Sequence, residues 1–397
     1  MTICFICDFP FHSFSGGVER VSSLLIQEFR RLEIKVLCCF PSKYRNAIEA
    51  DNVFYLVEDD ICSKENINFL RNVIVDNNVS IIINQSTLQA IHSLVVQAKN
   101  QTNARLITVY HNDPWYCIKD LRDRFDEIDY LPISSFKRFL KKTIRFLIWP
   151  LSYTLRYRSM KMQHWMKYHD SDCYVLLSEG FVMSVNDILG IHDYKRIRSI
   201  SNPVDFSSDK DLDINTLIAN KEKIVLFVGR MVFQQKRVDR LLRIWRKVEI
   251  NNPDWRLVII GDGDALPTMK DYARRLGLVR CFFEGKKDAL DDIRKASILC
   301  LQSTYEGFGM TLVEAQQFGC VPITFDSYEA VHDIIVDKET GVLVPSFDEK
   351  EYSKRLEDLM KNDSLRKEMA VKAFHSVSKF SSDRIAEQWA DLFQELI

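Results

Sequence analysis

Residues 223–248 read KIVLFVGRMVFQQKRVDRLLRIWRKV. The opening run, Lys223–Val228, is apolar, β-branched and of strand length, and Gly229 breaks it. Beyond the break, Val238, Leu241, Leu242, Trp245 and Val248 recur at three- and four-residue spacings, which puts them on one face of a helix. A fully apolar strand followed by an amphipathic helix is the first part of a βαβ unit. Repeated, such units build a parallel sheet whose two faces are covered by helices.

Working outward, the pattern recurs on both sides. Leu257–Ile260, Ile298–Leu301 and Val321–Phe325 are further strand candidates, each followed by helical sequence. Upstream lie Ile3–Phe9, Val36–Phe40, Ser80–Asn84, Leu106–Tyr110 and Tyr174–Ser178. A helical stripe of Val18, Val21, Leu25 and Leu32 follows the first of them. The series restarts after Asn202-Pro203. A chain of 397 residues is too long for one ordinary core. The expectation is therefore α/β, with two doubly wound, Rossmann-like domains at residues 1–200 and 201–397. Ser382 to Ile397 reads as a final helix with Ile385, Trp389, Leu392 and Phe393 on one face, available to pack back on the N-terminal domain.

Composition narrows the function. Hydrophobic residues make up 46% and charged residues 27%, as in an ordinary globular protein. A formal net charge of -1 gives no global attraction to nucleic acid, so no nucleic-acid partner is expected. The ten cysteines are scattered, several inside apolar runs, which suits a reducing compartment. Cys4 and Cys7 form a C-x-x-C inside the first apolar run, with no second pair to complete a zinc site. That run is short, lacks a basic leader and is broken by Asp8 and Pro10, unlike a signal peptide. No stretch approaches the roughly 18 apolar residues of a spanning helix. A cytoplasmic protein is expected.

One segment departs from the pattern. From Tyr130 to His169 there is no acidic residue, while Lys137, Arg138, Lys141, Lys142, Arg145, Arg156, Arg158, Lys161 and Lys167 interleave with Phe136, Phe139, Phe146, Trp149, Tyr153, Tyr157 and Trp165. Cations among aromatics suit an anionic membrane surface, placing the protein peripherally on the inner face of the plasma membrane. The alternative is a helical insertion at 130–170 whose aromatics are core and whose cations are its solvated face.

Ligands of doubly wound sheets bind at the carboxyl ends of the strands. The first such loop holds Gly16-Gly17 ahead of a helix, where backbone amides meet an anion, although a tight turn would look the same. There is no G-x-G-x-x-G. A second loop has Arg230 at the end of one strand and Lys236 at the opening of the next helix, two cations around one turn that suit a diphosphate. A third runs Ser303-Thr304-Tyr305-Glu306-Gly307-Phe308-Gly309-Met310-Thr311-Leu312-Val313-Glu314-Ala315. There Glu306 lies in the loop, and Gly307 and Gly309 bare amides at a helix start. Glu314 lies within the helix beside Leu312, Val313 and Ala315, where an unpaired charge would be costly.

These motifs in this order resemble the retaining glycosyltransferases of the GT-B fold known as glycosyltransferase family 4, or group 1. The resemblance rests on Gly16-Gly17-Val18-Glu19-Arg20, Val228-Gly229-Arg230 with Lys236, Ile260-Gly261-Asp262-Gly263, and the Glu-x7-Glu pair Glu306 and Glu314. It covers essentially the whole chain, and the N-terminal half matches only in its first loop and loosely around His111.

The resemblance implies two domains facing a cleft. Arg230 and Lys236, with Gly16 and Gly17, would hold the donor diphosphate. Glu306 would bind the transferred sugar beside Phe308, Gly309 and Met310, Glu314 the ribose, and His111 would face the donor sugar. It implies no metal and no cofactor, with a nucleotide diphosphate sugar, a UDP-sugar first among them, as co-substrate. Asp262-Gly263-Asp264 looks like a metal-binding D-x-D but falls where the family has a turn. The implied activity is hexosyl transfer with retention to a glycan or lipid-linked acceptor, in cell-surface polysaccharide synthesis. A non-hydrolysing nucleotide-sugar epimerase and a non-catalytic sugar-nucleotide binder share the same C-terminal motifs.

Overall fold

A computed structural model of the chain describes residues 1–10, 17–44, 50–130, 134–205 and 213–397. Strand β1 (Thr2–Ile6) lies inside the first sheet, and all of it beyond Thr2 is buried. Its neighbours are β2 (Lys35–Phe40) and β4 (Ile81–Asn84), with β3 (Val53–Tyr55) outside β2. On the other side β5 (Arg105–Tyr110), β6 (Cys173–Leu176) and β7 (Ile197–Ser199) follow in order. Every pairing is parallel, with Ile3 opposite both Val36 and Ile81. A strand covered on both faces must be apolar throughout, which is why these runs do not alternate.

The second sheet repeats the arrangement. Its strands are β8 (Glu222–Val228), β9 (Arg256–Ile260), β10 (Cys281–Gly285), β11 (Ala296–Leu301), β12 (Val321–Asp326) and β13 (Val342–Pro345). Their order is β10-β9-β8-β11-β12-β13, all parallel. In each sheet the winding reverses once, between β1 and β4 and between β8 and β11. The loops leaving those strands flank the crevice in which such sheets take a ligand.

The doubly wound α/β expectation therefore holds for both halves. The four strands that the sequence reading did not find, β3, β7, β10 and β13, are the outer strands of the two sheets. All ten cysteines are free, and Cys4 is a buried residue of β1 rather than part of a reactive pair. Burial pushes the Cys4 and Cys7 thiols well up.

Contacts divide the chain into two compact units. One is Met1–Asn112, Lys161–Ser208 and Lys379–Ile397, and the other is Asp113–Met160 and Asp209–Ser378. The grouping differs from a simple cut at residue 200 in two places. The C-terminal helix Ser382–Leu396 joins the first unit: Ser382 Oγ donates to Glu28 Oε1 at 2.8 Å, and the Phe393 ring meets Phe29 edge-on at 5.3 Å. Residues 113–160 join the second unit, because carboxylates of the helix Tyr116–Glu127 pair with arginines that follow β8.

The acid-free segment forms two helices, Ser135–Leu147 and Trp149–Asp170. The first has no buried residue, and Phe136, Phe139 and Phe146 are 73%, 69% and 72% exposed. The second is partly packed, with Trp149 against Phe125 and Tyr157 stacked on Trp115. Lys167 is buried, which corrects its place in the proposed membrane-facing set. Among the described residues no helix is long and apolar enough to cross a membrane.

Candidate functional site

The site of the second unit begins with two glycines that are there for space. Gly261 follows β9 at φ +140°, and a Cβ on it would come 1.9 Å from the carbonyl oxygen of Gly229. Gly263, at φ +149°, is pressed against Met231 in the same way. Two backbone bonds, Met231 N–H to Asp262 O at 2.8 Å and Ala265 N–H to Met231 O at 3.0 Å, lock this turn to the loop after β8. Asp262-Gly263-Asp264 thus shapes the loop that carries Arg230.

Arg230 projects into solvent, and its guanidinium makes no ion pair or hydrogen bond among the described residues. Lys236 ends the single turn Phe233–Lys236. Its ammonium reaches across to the loop after β11 and pairs with Glu306 Oε1 at 2.5 Å, with the two side chains only 11% and 9% exposed. Its aliphatic stem passes over Gly229, where a Cβ would lie 3.3 Å from Lys236 Cε. Further bonds join the two loops. Thr304 N–H donates to Gln235 O at 2.8 Å, Gln302 Nε2 to Lys236 O at 2.8 Å, and Gln235 Nε2 to Glu306 Oε2 at 3.5 Å.

Past Glu306 the chain turns into the helix Met310–Gln317 through Gly309, its N-cap, at φ +103°. The left-handed conformation there requires glycine. Phe308 is buried beside it and Met310 half-buried. Glu314 sits one turn along the helix, half-buried and with a partner of its own, so the costly unpaired charge does not arise. The structure therefore brings Arg230, Lys236, Glu306, Phe308, Gly309, Met310 and Glu314 together on the carboxyl edge of one sheet.

The remaining candidates belong to the first unit. Gly17 opens the helix Gly17–Arg31 and is exposed, with nothing within 4 Å of an added Cβ. Gly16 lies outside the described residues. His111 follows β5 directly, and its Nε2 is hydrogen-bonded to Gln85 Oε1. Burial lowers its pKa to about 4, so the ring is neutral at pH 7, and its Nδ1 is buried without a partner among the described residues.

Sequence reasoning missed two groups here. Asp113, two residues after His111, is ion-paired to Lys119, and Lys119 also donates to Ser327 O at 2.8 Å. Burial raises the Asp113 pKa and the lysine opposes it. The signal for Asp113 was its closeness to His111; nothing in the sequence marked Lys119. The second group is an arginine cluster. Arg237, next to Lys236, is buried at φ +46° and pairs with Asp123, Asp126 and Asp239. Arg240 shares Asp123 at 3.1 Å, and Arg243 pairs with Asp239 and Glu349.

Two doubly wound parallel-sheet units, one of them with a cationic, glycine-rich edge, place the chain in the GT-B fold class. Within it, residues 209–375 match the family of glycosyl transferases group 1. Over 202 residues the chain is 29% identical to a GalNAc-alpha-(1->4)-GalNAc-alpha-(1->3)-diNAcBac-PP-undecaprenol alpha-1,4-N-acetyl-D-galactosaminyltransferase of Campylobacter jejuni, covering 51% of this chain and 55% of that one. Over 154 residues it is 34% identical to the lipopolysaccharide 1,6-galactosyltransferase of Escherichia coli, covering 37% and 41%. The chain thus spans about half the length of these relatives. Anabaena HepE in complex with UDP and glucose shares the fold over the whole of both chains, at a TM-score of 0.71 and 16% identity. So does the apo form of the lipopolysaccharide outer core galactosyltransferase WaaB, at 0.66 and 18%.

Proposed function

We propose that the protein transfers a hexose-type sugar, with retention, from a UDP-sugar to a hydroxyl of a glycan or lipid-linked acceptor in cell-surface polysaccharide synthesis. The observation that carries this reading is the nearly desolvated Lys236–Glu306 pair beside the unpartnered Arg230. A donor diphosphate supplies anionic oxygens for Lys236 and Arg230, and the sugar supplies hydroxyls for Glu306. The ion pair holds both groups in place until then. Two likenesses support the choice of donor and of retention: HepE, which shares the fold, is in complex with UDP and glucose, and the Campylobacter jejuni relative is an alpha-1,4 transferase.

Breaking the anomeric C–O bond leaves negative charge on the diphosphate and positive charge on the sugar ring. Fixed cations lower that barrier because they need no reorganisation as the charge develops. In this proposal the acceptor hydroxyl attacks from the face the diphosphate leaves, and its proton passes to the departing phosphate oxygen. Glu306, Phe308, Gly309 and Met310 seat the sugar, Glu314 holds the ribose, and Gly16, Gly17 and neutral His111 serve the donor from the first unit. With two cations on the diphosphate, no metal is required, and activity should survive a chelator.

Incubating the protein with UDP-sugars, with and without lipid-linked acceptor, tests the reading. Acceptor-dependent release of UDP is expected. A changed nucleotide sugar released without acceptor would instead mean an epimerase, and no turnover a binding protein.

The exposed helix Ser135–Leu147 supplies a place of work. Lys137, Lys141 and Lys142 share it with Phe136, Phe139 and Phe146, so cations and apolar rings reach an anionic lipid surface together. Each cation near such a surface contributes about 1 kcal/mol. The protein should pellet with anionic vesicles at low salt and not at high salt. Replacing Lys137, Arg138, Lys141 and Lys142 by Glu should abolish pelleting and spare UDP binding. Failure to pellet at low salt would leave the helix a surface insertion.

A further inference from the structure

Tyr328 stands two residues after β12, and its ring is almost fully buried, at 2% exposure. A buried phenol normally finds a hydrogen-bond partner, because an unmade bond costs stability. Among the described residues the Tyr328 hydroxyl has none. It is aimed at the start of the helix Met310–Gln317: a Cβ on Gly309 would come within 2.7 Å of Tyr328 Oη. Gly309 is thus bare for two reasons, its backbone conformation and the phenol lying against it. The neighbouring strand end holds a second buried hydroxyl without a partner among the described residues, Ser303 Oγ, while Ser327 Oγ donates to the Ser303 carbonyl at 2.8 Å. Unsatisfied hydroxyls therefore gather at the loop that also carries Glu306.

The charges nearby say what kind of atom would satisfy the phenol. The carboxylates of Glu306 and Asp113 both act on the Tyr328 hydroxyl. A phosphate oxygen would meet repulsion there, whereas a neutral hydroxyl would not. Resting on the donor-site reading above, we infer that the Tyr328 hydroxyl is a specificity-determining contact, donating a hydrogen bond to a hydroxyl of the transferred sugar. Glu306 takes hydrogen bonds from the same sugar, so the pair supplies one donor and one acceptor. A sugar that lacks a hydroxyl at that position leaves the phenol unpaired, and discrimination by a buried polar group left unpaired is strong.

Tyr328→Phe tests this, because it removes one oxygen and keeps the ring. The free variant should melt no lower than wild type, since the oxygen it loses is unpartnered. Titrations use UDP, UDP-glucose, UDP-galactose and their N-acetyl counterparts, without acceptor. UDP should bind both proteins equally. The gain in affinity of the preferred UDP-sugar over UDP should fall about tenfold in the variant. Equal gains in wild type and variant overturn the inference and leave the donor site standing. Equal weakening of UDP itself would move the hydroxyl to the phosphates and overturn the sugar contact. Wild type that binds no UDP compound refutes the donor-site reading and this inference with it.

Discussion

Lys236 and Arg237 are neighbours in the chain, and the structure uses them in opposite ways. Among the described residues Lys236 has a single carboxylate partner, Glu306, at the carboxyl edge of the second sheet. Arg237 is closed in by Asp123, Asp126 and Asp239, and its guanidinium also lies 5.0 Å from the centre of the Phe233 ring. Burial and the neighbouring Arg237 lower the Arg240 pKa to about 10, and the carboxylates oppose both effects. Buried charges of this kind hold only while each has its partners. In the proposed function Lys236 gives up its partner to a ligand, while Arg237 keeps its own. A positive charge at the mouth of a loop is therefore no guide to function until its carboxylates are counted.

The largest effect should come from breaking the closed cluster. Arg237→Met leaves Asp123 to Arg240 alone and Asp239 to Arg243 alone, and we expect a loss of about 3–5 kcal/mol in urea unfolding. A loss below about 1 kcal/mol would mean the cluster is solvated and the contrast with Lys236 is false. On the open side, Arg230→Ala should weaken UDP binding by about 1.5–3 kcal/mol while leaving stability within about 0.5 kcal/mol of wild type. A marked drop in melting temperature would show that Arg230 is structural as well.

The two glutamates sharpen the comparison within the open site. Glu306→Gln should mainly depress turnover, since its carboxylate sits beside the reacting sugar in this proposal. Glu314→Gln should mainly raise the donor KM, because a ribose does not change during the reaction. Steady-state kinetics showing the reverse would exchange their roles.

The smallest effect concerns pH. Burial lowers the pKa of His92 and of His111 to about 4, below the ordinary 6.5. A base whose folded pKa is depressed binds fewer protons folded than unfolded as the pH falls. The stability it contributes is thus complete above about pH 6.5 and is lost as the pH drops toward 4. Urea unfolding from pH 7.5 to 4.5 should show that decline, and His92→Gln should flatten it. An unchanged slope in the variant would mean other groups set the acid limit.

Much of this was legible in the sequence, and what was not has a physical cause. The nine strands read correctly are mainly strands covered on both faces, such as β1 and β11, whose runs are apolar without interruption. The four missed are outer strands with one free side. In Cys281–Gly285 no residue is fully buried, and Val53–Tyr55 is too short to signal at all. The Glu306–Glu314 loop was legible because its glycines and carboxylates are ordered by chemistry. Arg237 was not, because its partners Asp123 and Asp126 lie more than a hundred residues away in a stretch that reads as an ordinary polar helix. The same distance hid the attachment of residues 113–160 to the second sheet. Tyr328 reads as one more aromatic after a strand, and only its burial without a partner sets it apart.

The central claim is that Lys236 leaves Glu306 to take the donor diphosphate. Calorimetric titration of UDP into wild type and Lys236→Ala tests it directly. We expect the variant to bind UDP more weakly by about 1.5–3 kcal/mol, roughly 10- to 150-fold in Kd. Equal affinity in the two proteins would contradict the account, because Lys236 would then be only the structural partner of Glu306.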